Sequence, residues 1–465
     1  MQTPDDITVV ILAAGLGTRM KSKMAKVLHR AGGMTLIEQV VHAATAIAAP
    51  ENMVVVTGHQ AARVQQVTSH TGVKYALQAE QKGTGHALMC CRGAVSQTGL
   101  LVVLYGDAPL ISSTTLREFV RTQAASRAAG TVLTAVVNDP SGYGRIIRDA
   151  DGSVEAIVEQ KAATPEQAKV CEINSGMYCF DAALLWKHID EIGTDNPAHE
   201  YYLTDIVEIF RRAGHRVAPL HLASEEELLG INTRVELAAA DRILRNRTVN
   251  RLMLEGVTIE RPETVTIDAQ VQIGCDTIVE PFTRILGSTK IGEDCRIGAY
   301  SIVESSQLAD RVEVGAYTII GTSVVETGAI VGPYARLRLD NHVGAGAHIG
   351  NFVELKKTRM GQGAKANHLA YLGDSTIGAK VNIGAGTITC NYDGKKKHQT
   401  QIGDGAFVGS NSTLVAPVAV GAGSYIGAGS VITKPVPEGA LAIGRGHQVN
   451  KEGWIKRKRE SEPRT

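Results

Sequence analysis

Residues 402–427 read IGDGAFVGSNSTLVAPVAVGAGSYIG, and this stretch decides the fold of the second half of the chain. An aliphatic residue followed by glycine recurs in it at spacings that are multiples of six. Six residues per side and three sides per coil describe a parallel β-helix of triangular cross-section. The aliphatic side chain points inward, and the small residue permits the tight corner. The same pair recurs upstream at Ile273-Gly274, Ile291-Gly292, Ile297-Gly298, Val343-Gly344, Ile349-Gly350, Ile377-Gly378 and Ile383-Gly384.

Two long segments interrupt the repeat, at Lys356–Ser375 and at Ile388–Gln401. Insertions in a solenoid become external loops, and these loops usually carry its function. Both segments are rich in Lys, His, Asn and Tyr, which a spacer would not need. We therefore prefer an active solenoid to the alternative, a purely structural or oligomerising one.

The first half of the chain has a different pattern of apolar residues. Short continuous apolar runs alternate with helical stretches such as Thr35–Ala48 and Ser113–Ala128, which predicts an α/β domain with a parallel-type sheet. Ligands of such sheets bind beyond the carboxyl ends of the strands. We therefore expect the chemistry just after Leu12 and just after Tyr105. The predicted strands are Ile7–Leu12, Met53–Gly58, Leu100–Tyr105 and Thr131–Val137.

A helix is predicted from Asn232 to Met253, where apolar residues follow helical spacing without Gly or Pro. It separates the two patterns and sets the expected domain boundaries. These are a nucleotide-transferring domain over 1–231, a linker helix over 232–253, a β-helix over 254–452 and a charged, solvated tail over 453–465.

The loop Leu12–Met20, LAAGLGTRM, follows the first strand directly. Its glycines allow a sharp turn that brings backbone N–H groups against a phosphate, and Arg19 and Lys26 add positive charge suited to a triphosphate. It is not a Walker A loop, which needs Gly-Lys-Ser/Thr. It is not a dinucleotide fingerprint either, because Met20 stands where a third glycine is required.

A magnesium site is expected where Asp107 follows the strand ending at Tyr105, since Mg²⁺ takes one or two protein oxygens together with phosphates. Asn232 suits the same task if the chain returns to that point. A second glycine-bearing loop, Gln78–His86, carries amide and small residues that could read the edge of a base.

The composition excludes several functional classes. The formal net charge is +1, which gives no global attraction to nucleic acid or an anionic membrane. The Cys residues number seven, an odd count, and include no CxxC pair. No N-terminal signal is visible. We therefore expect a cytoplasmic protein with free thiols, small-molecule substrates and neither nucleic-acid nor membrane partners.

These motifs together resemble a known family. The first half looks like the sugar-nucleotide pyrophosphorylases, and residues from Ile7 to about Trp454 resemble the bifunctional N-acetylglucosamine-1-phosphate uridyltransferase/glucosamine-1-phosphate acetyltransferases. The resemblance rests on LAAGLGTRM, QAEQKGTGHA, YGD, HLAYLGD and NIGAGTITCNYDG. It implies a Rossmann-like nucleotidyltransferase domain followed by a left-handed β-helix of hexapeptide repeats. It also implies a homotrimer with sites shared between neighbouring prisms, which supplies cell-wall and lipopolysaccharide precursors.

The resemblance implies the roles of the first site, where N-acetylglucosamine 1-phosphate and UTP give UDP-N-acetylglucosamine and pyrophosphate with Mg²⁺ bound by Asp107 and Asn232. Two sets of residues are assigned. Nucleotide-binding residues are Leu12, Ala13, Ala14, Gly15, Arg19, Lys26, Gln78, Gly83 and Thr84; sugar-binding residues are Tyr105, Gly106, Asp107, Gly144, Glu159, Asn174 and Asn232. Ala25 replaces the family's usual Pro, which leaves the pose of Lys26 open. Leu16 replaces a frequent Lys, which removes one potential phosphate contact.

Acetyl transfer to an amine needs a base and a grip on the acceptor, and His368 with nearby cations suits that task. Glu354 is expected to orient its imidazole. The resemblance assigns His368 as general base in the acetylation of glucosamine 1-phosphate by acetyl-CoA. Acceptor-binding residues are Arg338, Lys356, Tyr371 and Asn382; acetyl-CoA-binding residues are Ala385, Asn391, Tyr392, Ser410, Ala428 and Arg445, with Asn391 and Tyr392 also beside the acceptor.

Four alternatives stay open. In one, the solenoid is structural beside an active uridylyltransferase; in another, it binds effectors, as in an ADP-glucose-type pyrophosphorylase. An acyl-enzyme through Cys390 is a weaker rival to direct attack on the thioester. Lys397 either reaches the coenzyme phosphates or belongs to a solvated charge run, Lys395–Lys397.

Overall fold

The computed structural model describes residues 7–196, 198–222 and 224–461. The chain forms two compact units, the first ending at Arg247 and the second beginning at Thr248. None of the helices in the described part of the chain has the length and hydropathy of a membrane span.

The first unit alternates strands and helices, as the apolar runs predict. Its strands are β1 (Ile7–Ala13), β2 (Arg30–Ala31), β3 (Met34–Thr35), β4 (Met53–Thr57), β5 (Lys74–Leu77), β6 (Leu100–Tyr105), β7 (Gly130–Val136), β8 (Arg145–Arg148), β9 (Val154–Val158), β10 (Glu172–Asp181) and β11 (Val217–His221). Its helices are α1 (Leu36–Ala44), α2 (Ala61–Thr68), α3 (Thr84–Met89), α4 (Ser113–Ser126), α5 (Ala182–His188) and α6 (Asp205–Arg212).

The main sheet has the order β11-β7-β10-β6-β1-β4-β5, and β8 and β9 extend it beside β10. Strands β5, β4, β1 and β6 are parallel, whereas β10 runs antiparallel to both neighbours. The prediction of a parallel-type sheet missed β10, because its polar residues Glu172, Asn174 and Ser175 break the apolar run that marks the other strands.

The carboxyl ends of β1 and β6 meet at one edge of this sheet. The Gly106 N–H donates to the Leu12 carbonyl at 2.9 Å, which joins the loop after β1 to the loop after β6. This edge is where the sequence predicts the nucleotide site.

Helix α7 (Arg234–Leu254) begins two residues after the predicted start. Its first part contributes Ala240 and Leu244 to an apolar cluster of the first unit. Its last part contributes Val249 and Leu252 to the core of the second unit. The division between the two units therefore falls inside one helix.

The second unit is a coil with three parallel sheets, here called faces 1, 2 and 3. Face 1 contains β12 (Thr258–Ile259), β15 (Ile278–Val279), β18 (Arg296–Ile297), β21 (Glu313–Val314), β24 (Ile330–Val331), β27 (His348–Asn351), β30 (Lys365–His368), β33 (Asn382–Ile383), β36 (Phe407–Val408), β39 (Tyr425–Ile426) and β41 (Leu441–Ala442). Face 2 contains β13 (Thr266–Ile267), β16 (Arg284–Leu286), β19 (Ile302–Glu304), β22 (Ile319–Gly321), β25 (Arg336–Arg338), β28 (Glu354–Lys356), β31 (Tyr371–Gly373), β34 (Ile388–Cys390), β37 (Thr413–Val415) and β40 (Val431–Ile432). Face 3 contains β14 (Gln272–Ile273), β17 (Lys290–Ile291), β20 (Gln307–Leu308), β23 (Ser323–Val325), β26 (Asn341–Val343), β29 (Arg359–Met360), β32 (Ser375–Ile377), β35 (Thr400–Ile402) and β38 (Val418–Val420).

The hexapeptide pattern explains this coil. The aliphatic member of each pair is buried, as in Val343 and Ile349, and stacks in one continuous core. The following glycine leaves room for the next coil: a Cβ on Gly344 would lie 2.8 Å from the Gln362 backbone nitrogen. The predicted fold class, an α/β nucleotidyltransferase domain followed by a left-handed parallel β-helix, is confirmed.

One predicted interruption is wrong and the other is shorter than predicted. Residues Lys356–Ser375 form regular coils through β29, β30 and β31, because Met360, Ala366 and Leu372 fill the core, although Met360 is not a branched aliphatic residue and no glycine follows Ala366. Within Ile388–Gln401 only residues 391–399 leave the coil, between β34 and β35.

The chain ends, within the described residues, in helix α8 (Trp454–Ser461), whose side chains are all exposed. The sequence predicts a solvated tail here, and residues 462–465 lie outside the described residues.

Candidate functional site

A cavity of about 290 Å³ lies at the edge where β1 and β6 end. Most of the predicted nucleotide-binding residues line it. They are Leu12, Ala13, Ala14, Gly15, Lys26, Gln78, Gly83 and Thr84, joined by Tyr105 and Asp107 of the predicted sugar-binding set.

The phosphate loop needs glycine at one defined position. Gly17 has φ 63°, and a Cβ there would lie 2.6 Å from the Lys26 Cβ. Glycine at this position therefore lets Lys26 approach the loop. Ala25, the departure from the family pattern, has φ −56°, which is within the range of proline, and its N–H donates to Gln60 Oε1 at 3.2 Å. The backbone before Lys26 thus has a proline-like φ without a proline. Leu16 is exposed.

Asp107 and Asn232 lie together, as predicted. The Ile231 N–H donates to the Asp107 carbonyl at 2.8 Å, which returns the chain to the end of β6. Lys26 Nζ pairs with the Asp107 carboxylate and donates to Asn232 Oδ1 at 3.2 Å, and Arg19 donates to the same Oδ1 at 2.8 Å. Two cations therefore contact the two oxygens assigned to the metal.

These two oxygen donors fit a magnesium ion. Mg²⁺ uses one or two protein oxygens and completes its shell with water and phosphates. No cluster of three or more His, Cys, Asp or Glu suited to a metal exists among the described residues. A metal held here would therefore depend on the nucleotide for its other ligands.

The loop after β5 forms the far wall of the cavity. Gly83 has φ 103°, and a Cβ on it would lie 2.6 Å from the Tyr201 carbonyl oxygen, so the segment around Tyr201 packs directly on this loop. Thr84 Oγ1 accepts from the Leu203 N–H at 3.1 Å. The side chain of Gln78 is almost fully buried, and its Nε2 donates to the Gly83 carbonyl at 3.0 Å.

The remaining sugar-binding residues cluster away from the phosphate loop. A Cβ on Gly144 would lie 3.5 Å from Glu159 Oε1 and 3.7 Å from the Asn174 Cβ, so these three are neighbours. Glu159 lines a second cavity, of about 530 Å³, with Tyr202 and Asp205. Six of the predicted residues do not line the first cavity: Gly144, Glu159, Asn174, Arg19, Asn232 and Gly106. The Gly106 Cα faces the Ile37 and Val27 side chains of the core.

Burial dominates the electrostatics of this cluster. Burial raises the pKa of Glu159, and burial followed by the charges of Glu208 and Glu159 raises the pKa of Asp205 to about 6. Burial also raises the pKa of Tyr105, which contacts Thr84 and feels the charges of Asp107 and Glu159. The two carboxyl groups of this cluster therefore take up protons at higher pH than free carboxyl groups do.

In the second unit, His368 ends β30 at the corner between faces 1 and 2 and is exposed. Its Nδ1 lies 2.8 Å from Asn351 Oδ1, its register partner on the preceding coil. An amide oxygen only accepts, so Nδ1 carries the proton and Nε2 keeps its lone pair. The imidazole is thus held in the tautomer of a general base.

The predicted orienting role of Glu354 is wrong. Glu354 Oε1 accepts from Arg338 Nε at 2.6 Å on face 2, and Asn351 takes the expected place beside His368. Burial, followed by the charges of Lys365 and His368, lowers the pKa of His348, the neighbouring imidazole on face 1. His348, Asn351 and His368 share a cavity of about 420 Å³.

A group of cations lies at the opposite corner, between faces 2 and 3. Arg338 and Lys356 are register partners, and Lys356 Nζ lies 3.2 Å from Asp374 Oδ2. Contact with Lys397 and with Asp374 raises the pKa of Lys356, and the same contact with Lys356 lowers the pKa of Lys397. Lys397 therefore lies beside Lys356, a residue predicted to hold the acceptor phosphate, and the neighbouring amines suit an anion.

The other predicted acceptor residues lie on faces 1 and 2 and just after β34. Asn391 donates to Asp374, and its Nδ2 is 3.5 Å from the Tyr371 hydroxyl on face 2. Asn382 lies on face 1, in register with Lys365. A convex prism does not bring Asn382 and Lys356 onto one face, so a single prism does not assemble the whole predicted acceptor set.

Three predicted acetyl-CoA residues form a column on the corner of His368. Ala385, Ser410 and Ala428 each lie two residues after a buried aliphatic residue of face 1, the place that His368 takes one coil earlier. Backbone bonds of 2.7 and 2.8 Å join these corners, from Asn411 N–H to Ala385 and from Gly429 N–H to Ser410. Arg445 donates to the Ala428 carbonyl at 2.5 Å, whereas Tyr392 stands exposed on the loop after β34.

Several residues that line the two sites were not predicted from the sequence. Gln81 and Glu200 line the first cavity beside Val27 and Ala87. Gln81 lay within the quoted loop, but nothing near Glu200 marks it. Asn351 lies one coil of the repeat before His368, and counting that register would have identified it.

Comparisons with known families match both units. The family of the MobA-like NTP transferase domain matches residues 9–163. The bacterial transferase hexapeptide family, whose pattern comprises six repeats, matches residues 270–305 and 399–434.

Full-length relatives extend these matches. The bifunctional protein GlmU of Solibacter usitatus (strain Ellin6076) is 59% identical over 458 residues, with 98% of each chain covered. The bifunctional protein GlmU of Koribacter versatilis (strain Ellin345) is 49% identical over 462 residues, which is 99% of this chain and 98% of that protein. A solved structure of a putative glucose-1-phosphate thymidylyltransferase from Bacillus anthracis has 22% identity and a TM-score of 0.41, and covers 52% of this chain and 96% of that one.

Proposed function

The chain belongs to the family of the bifunctional GlmU proteins, and from that premise we infer that it carries two activities. It is a bifunctional enzyme: it acetylates glucosamine 1-phosphate with acetyl-CoA, and it transfers UMP from UTP to N-acetylglucosamine 1-phosphate. The products are UDP-N-acetylglucosamine and pyrophosphate. We assign uridylyl transfer to residues 1–231 and acetyl transfer to residues 254–452, in the cytoplasm and toward cell-wall and lipopolysaccharide precursors.

In the proposed uridylyl transfer, the sugar 1-phosphate oxygen attacks the α-phosphorus of UTP in line. Attacking and attacked groups are both anionic, so the chain must supply charge and alignment and needs no nucleophile of its own. Lys26 and Arg19 are the cations nearest to the proposed metal oxygens, and they turn to the phosphates when UTP enters. Loss of one well-placed charge of this kind costs about 3 kcal/mol in the transition state.

Asp107 and Asn232 would hold the divalent ion, which we propose to be Mg²⁺. When bound, that ion would neutralise the charge that develops on the phosphate oxygens. Gln78, Gly83 and Thr84 hold the base, and Gly144, Glu159 and Asn174 hold the N-acetylated sugar.

In the proposed acetyl transfer, His368 Nε2 removes a proton from the glucosamine amine as the nitrogen attacks the thioester carbon. The C–S bond then breaks and coenzyme A leaves as its thiolate. Asn351 keeps the imidazole in the required tautomer. Arg338, Lys356 and Lys397 hold the acceptor phosphate, and the small residues Ala385, Ser410 and Ala428 leave room for the coenzyme on the same corner.

One observation supports the acetyl activity most directly: His368 Nε2 keeps its lone pair, and His368 lies on the same corner as the column of Ala385, Ser410 and Ala428. A purely structural solenoid needs neither. We further propose a homotrimer, since Asn382 of one face and Lys356 of another reach one ligand only if a neighbouring prism completes the site.

An omission assay on the purified full-length chain tests the function. Glucosamine 1-phosphate, acetyl-CoA, UTP and Mg²⁺ together should yield UDP-N-acetylglucosamine. Omitting acetyl-CoA should stop the product unless N-acetylglucosamine 1-phosphate is supplied, and omitting Mg²⁺ should stop it in both cases. Product formation in the absence of acetyl-CoA from glucosamine 1-phosphate would contradict the proposal.

A further inference from the structure

The two hydrogens of the Gln78 amide have fixed partners. Its Nε2 lies 3.0 Å from the Gly83 carbonyl oxygen and 3.1 Å from His86 Nδ1. A carbonyl oxygen only accepts, so the NH₂ end of the amide faces Gly83, and its second hydrogen points at the imidazole. His86 Nδ1 therefore accepts and carries no proton.

The other imidazole nitrogen of His86 is held too. In this tautomer Nε2 carries the hydrogen, and it lies 3.8 Å from Cys90 Sγ, one turn further along α3 and just beyond its end. The ring centroid lies 6.1 Å from that of Tyr201, on the segment that packs against Gly83. The imidazole is thus fixed on both nitrogens and beside one ring.

This arrangement leaves Gln78 Oε1 as an acceptor without a protein donor among the described residues, in a side chain that is 3% exposed and lines the first cavity. A ligand N–H that reaches this oxygen in the cavity would supply the hydrogen bond that it lacks within the protein. Uracil presents N3–H as a donor, whereas N3 of cytosine has no hydrogen.

We propose that His86 is a positioning residue for base recognition: its unprotonated Nδ1 fixes the Gln78 amide so that Oε1 meets the N3–H of a uracil-type base. This inference rests on the proposed uridylyl transfer and deepens it. His86 itself does not touch the nucleotide; it acts through Gln78.

Protonation of His86 should disturb the arrangement. A proton on Nδ1 would oppose the amide NH₂, and the amide would have to turn and present its hydrogens to the base. The charged and titratable groups that interact with the imidazole are Glu80 on the preceding loop, Cys90 on its own side and Tyr201 on the packed segment. Glu80 also pairs with Lys82 at 2.6 Å, and Glu200 lies beside Gly83.

The test uses the full-length chain, with UTP or CTP, N-acetylglucosamine 1-phosphate and Mg²⁺, between about pH 5 and 8, where histidines ordinarily titrate. His86→Phe removes the acceptor and should raise KM for UTP roughly tenfold, the effect of one lost hydrogen bond, with a smaller change in kcat. It should also reduce the preference for UTP over CTP. Acetyl transfer by the same protein should be unchanged.

His86→Asn is the rescuing variant, because the Asn oxygen can stand near the place of Nδ1 and does not titrate. It should restore KM for UTP and remove any rise in KM with falling pH that protonation of His86 causes in the wild type. The proposal is overturned if His86→Phe keeps the wild-type KM and base preference, or if His86→Asn keeps the acid-side rise. A wild type that does not turn over UTP at all would instead overturn the proposed function, and this inference with it.

Discussion

Single residues explain why the phosphate loop works without the family's usual proline. Ala25 adopts φ −56°, and its N–H bond to Gln60 holds the backbone that a proline ring would hold. The sequence left the pose of Lys26 open because backbone angles are not visible in it. The structure resolves that point: Lys26 reaches both Asp107 and Asn232.

Gly17 should be the least replaceable glycine of this loop. Gly17→Ala forces a Cβ to 2.6 Å from the Lys26 Cβ at φ 63°, a strain of about 1–3 kcal/mol that displaces Lys26. KM for UTP should rise and uridylyl kcat should fall at least tenfold, measured by pyrophosphate release, with acetyl transfer unchanged. Gly93→Ala is the matched control, because nothing lies within 4 Å of its Cβ position. Equal activities of the two variants would refute this account of Gly17.

Asp205 should make the first unit less stable as the pH rises. Its folded pKa is about 6, above the roughly 3.9 of an unfolded Asp, so the folded state binds more protons between these values. Stability is therefore greatest below about pH 4 with respect to this group and is lost as the pH rises to about 6. Asp205→Asn should remove that loss and raise the urea midpoint at neutral pH.

Trp186 fluorescence in a Trp454→Phe background measures this, because Trp186 and Trp454 are the two tryptophans of the chain and only the former lies in the first unit. Asp195→Asn, at an exposed position, serves as the control. The attribution to Asp205 is wrong if both variants keep the wild-type pH dependence.

At the scale of elements, the sequence predicted the coils of the solenoid where the aliphatic–Gly repeat is regular. The prediction was wrong where that repeat is irregular. The repeated aliphatic–Gly pairs predict the coil, since each pair supplies a core side chain and room for the next turn. The segment Lys356–Ser375 was mistaken for a loop because Met360 and Ala366 replace the expected aliphatic residue. The register of the coils determines which side chains contact each other across coils, as Asn351 and His368 do. Such contacts can be predicted only when the length of each coil is known.

A stack of aromatic rings lines the corner between faces 1 and 2 ahead of His368. Tyr300, Tyr317 and Tyr334 stand 5.0 Å apart between ring centroids and within 1° of parallel, and Phe282 and Phe352 extend the stack at either end. Beyond Leu369 the equivalent corner positions are Gly386, Asn411 and Gly429. The corner thus changes from aromatic rings to smaller residues at the coil of His368, the proposed catalytic base.

Tyr317→Leu should destabilise the solenoid by about 1–3 kcal/mol, because it removes two ring pairs worth roughly 0.5–1.5 kcal/mol each. Calorimetry of the full-length chain should show a lower midpoint for the transition of the second unit only. Tyr317→Phe retains the stack and should keep the wild-type midpoint. An equal loss in both variants would mean that the hydroxyl, and not the stacked ring, is responsible.

At the scale of the whole molecule, the change of pattern near Asn232 marks two folds in one chain. The division at Arg247 falls inside α7, so the proposed limits of 1–231 and 254–452 leave the helix as a shared element. The formal net charge of +1 does not indicate either proposed anion site, because each site is formed by a few cations that lie close together. Sequence motifs and their spacing predicted both sites. The hydrogen-bond partners that set the tautomers of His86 and His368 and the orientation of the Gln78 amide could be identified only from the fold.

The central claim is that the two reactions take place at separate sites, one using Asp107 and the other His368. The direct measurement assays full-length His368→Ala and Asp107→Asn, alone and mixed, for UDP-N-acetylglucosamine formed from glucosamine 1-phosphate, acetyl-CoA, UTP and Mg²⁺. Each variant alone should lose its own step by about 10²–10⁴-fold and keep the other, and the mixture should restore the product. The claim is contradicted if His368→Ala fails to use supplied N-acetylglucosamine 1-phosphate, or if the mixture stays inactive.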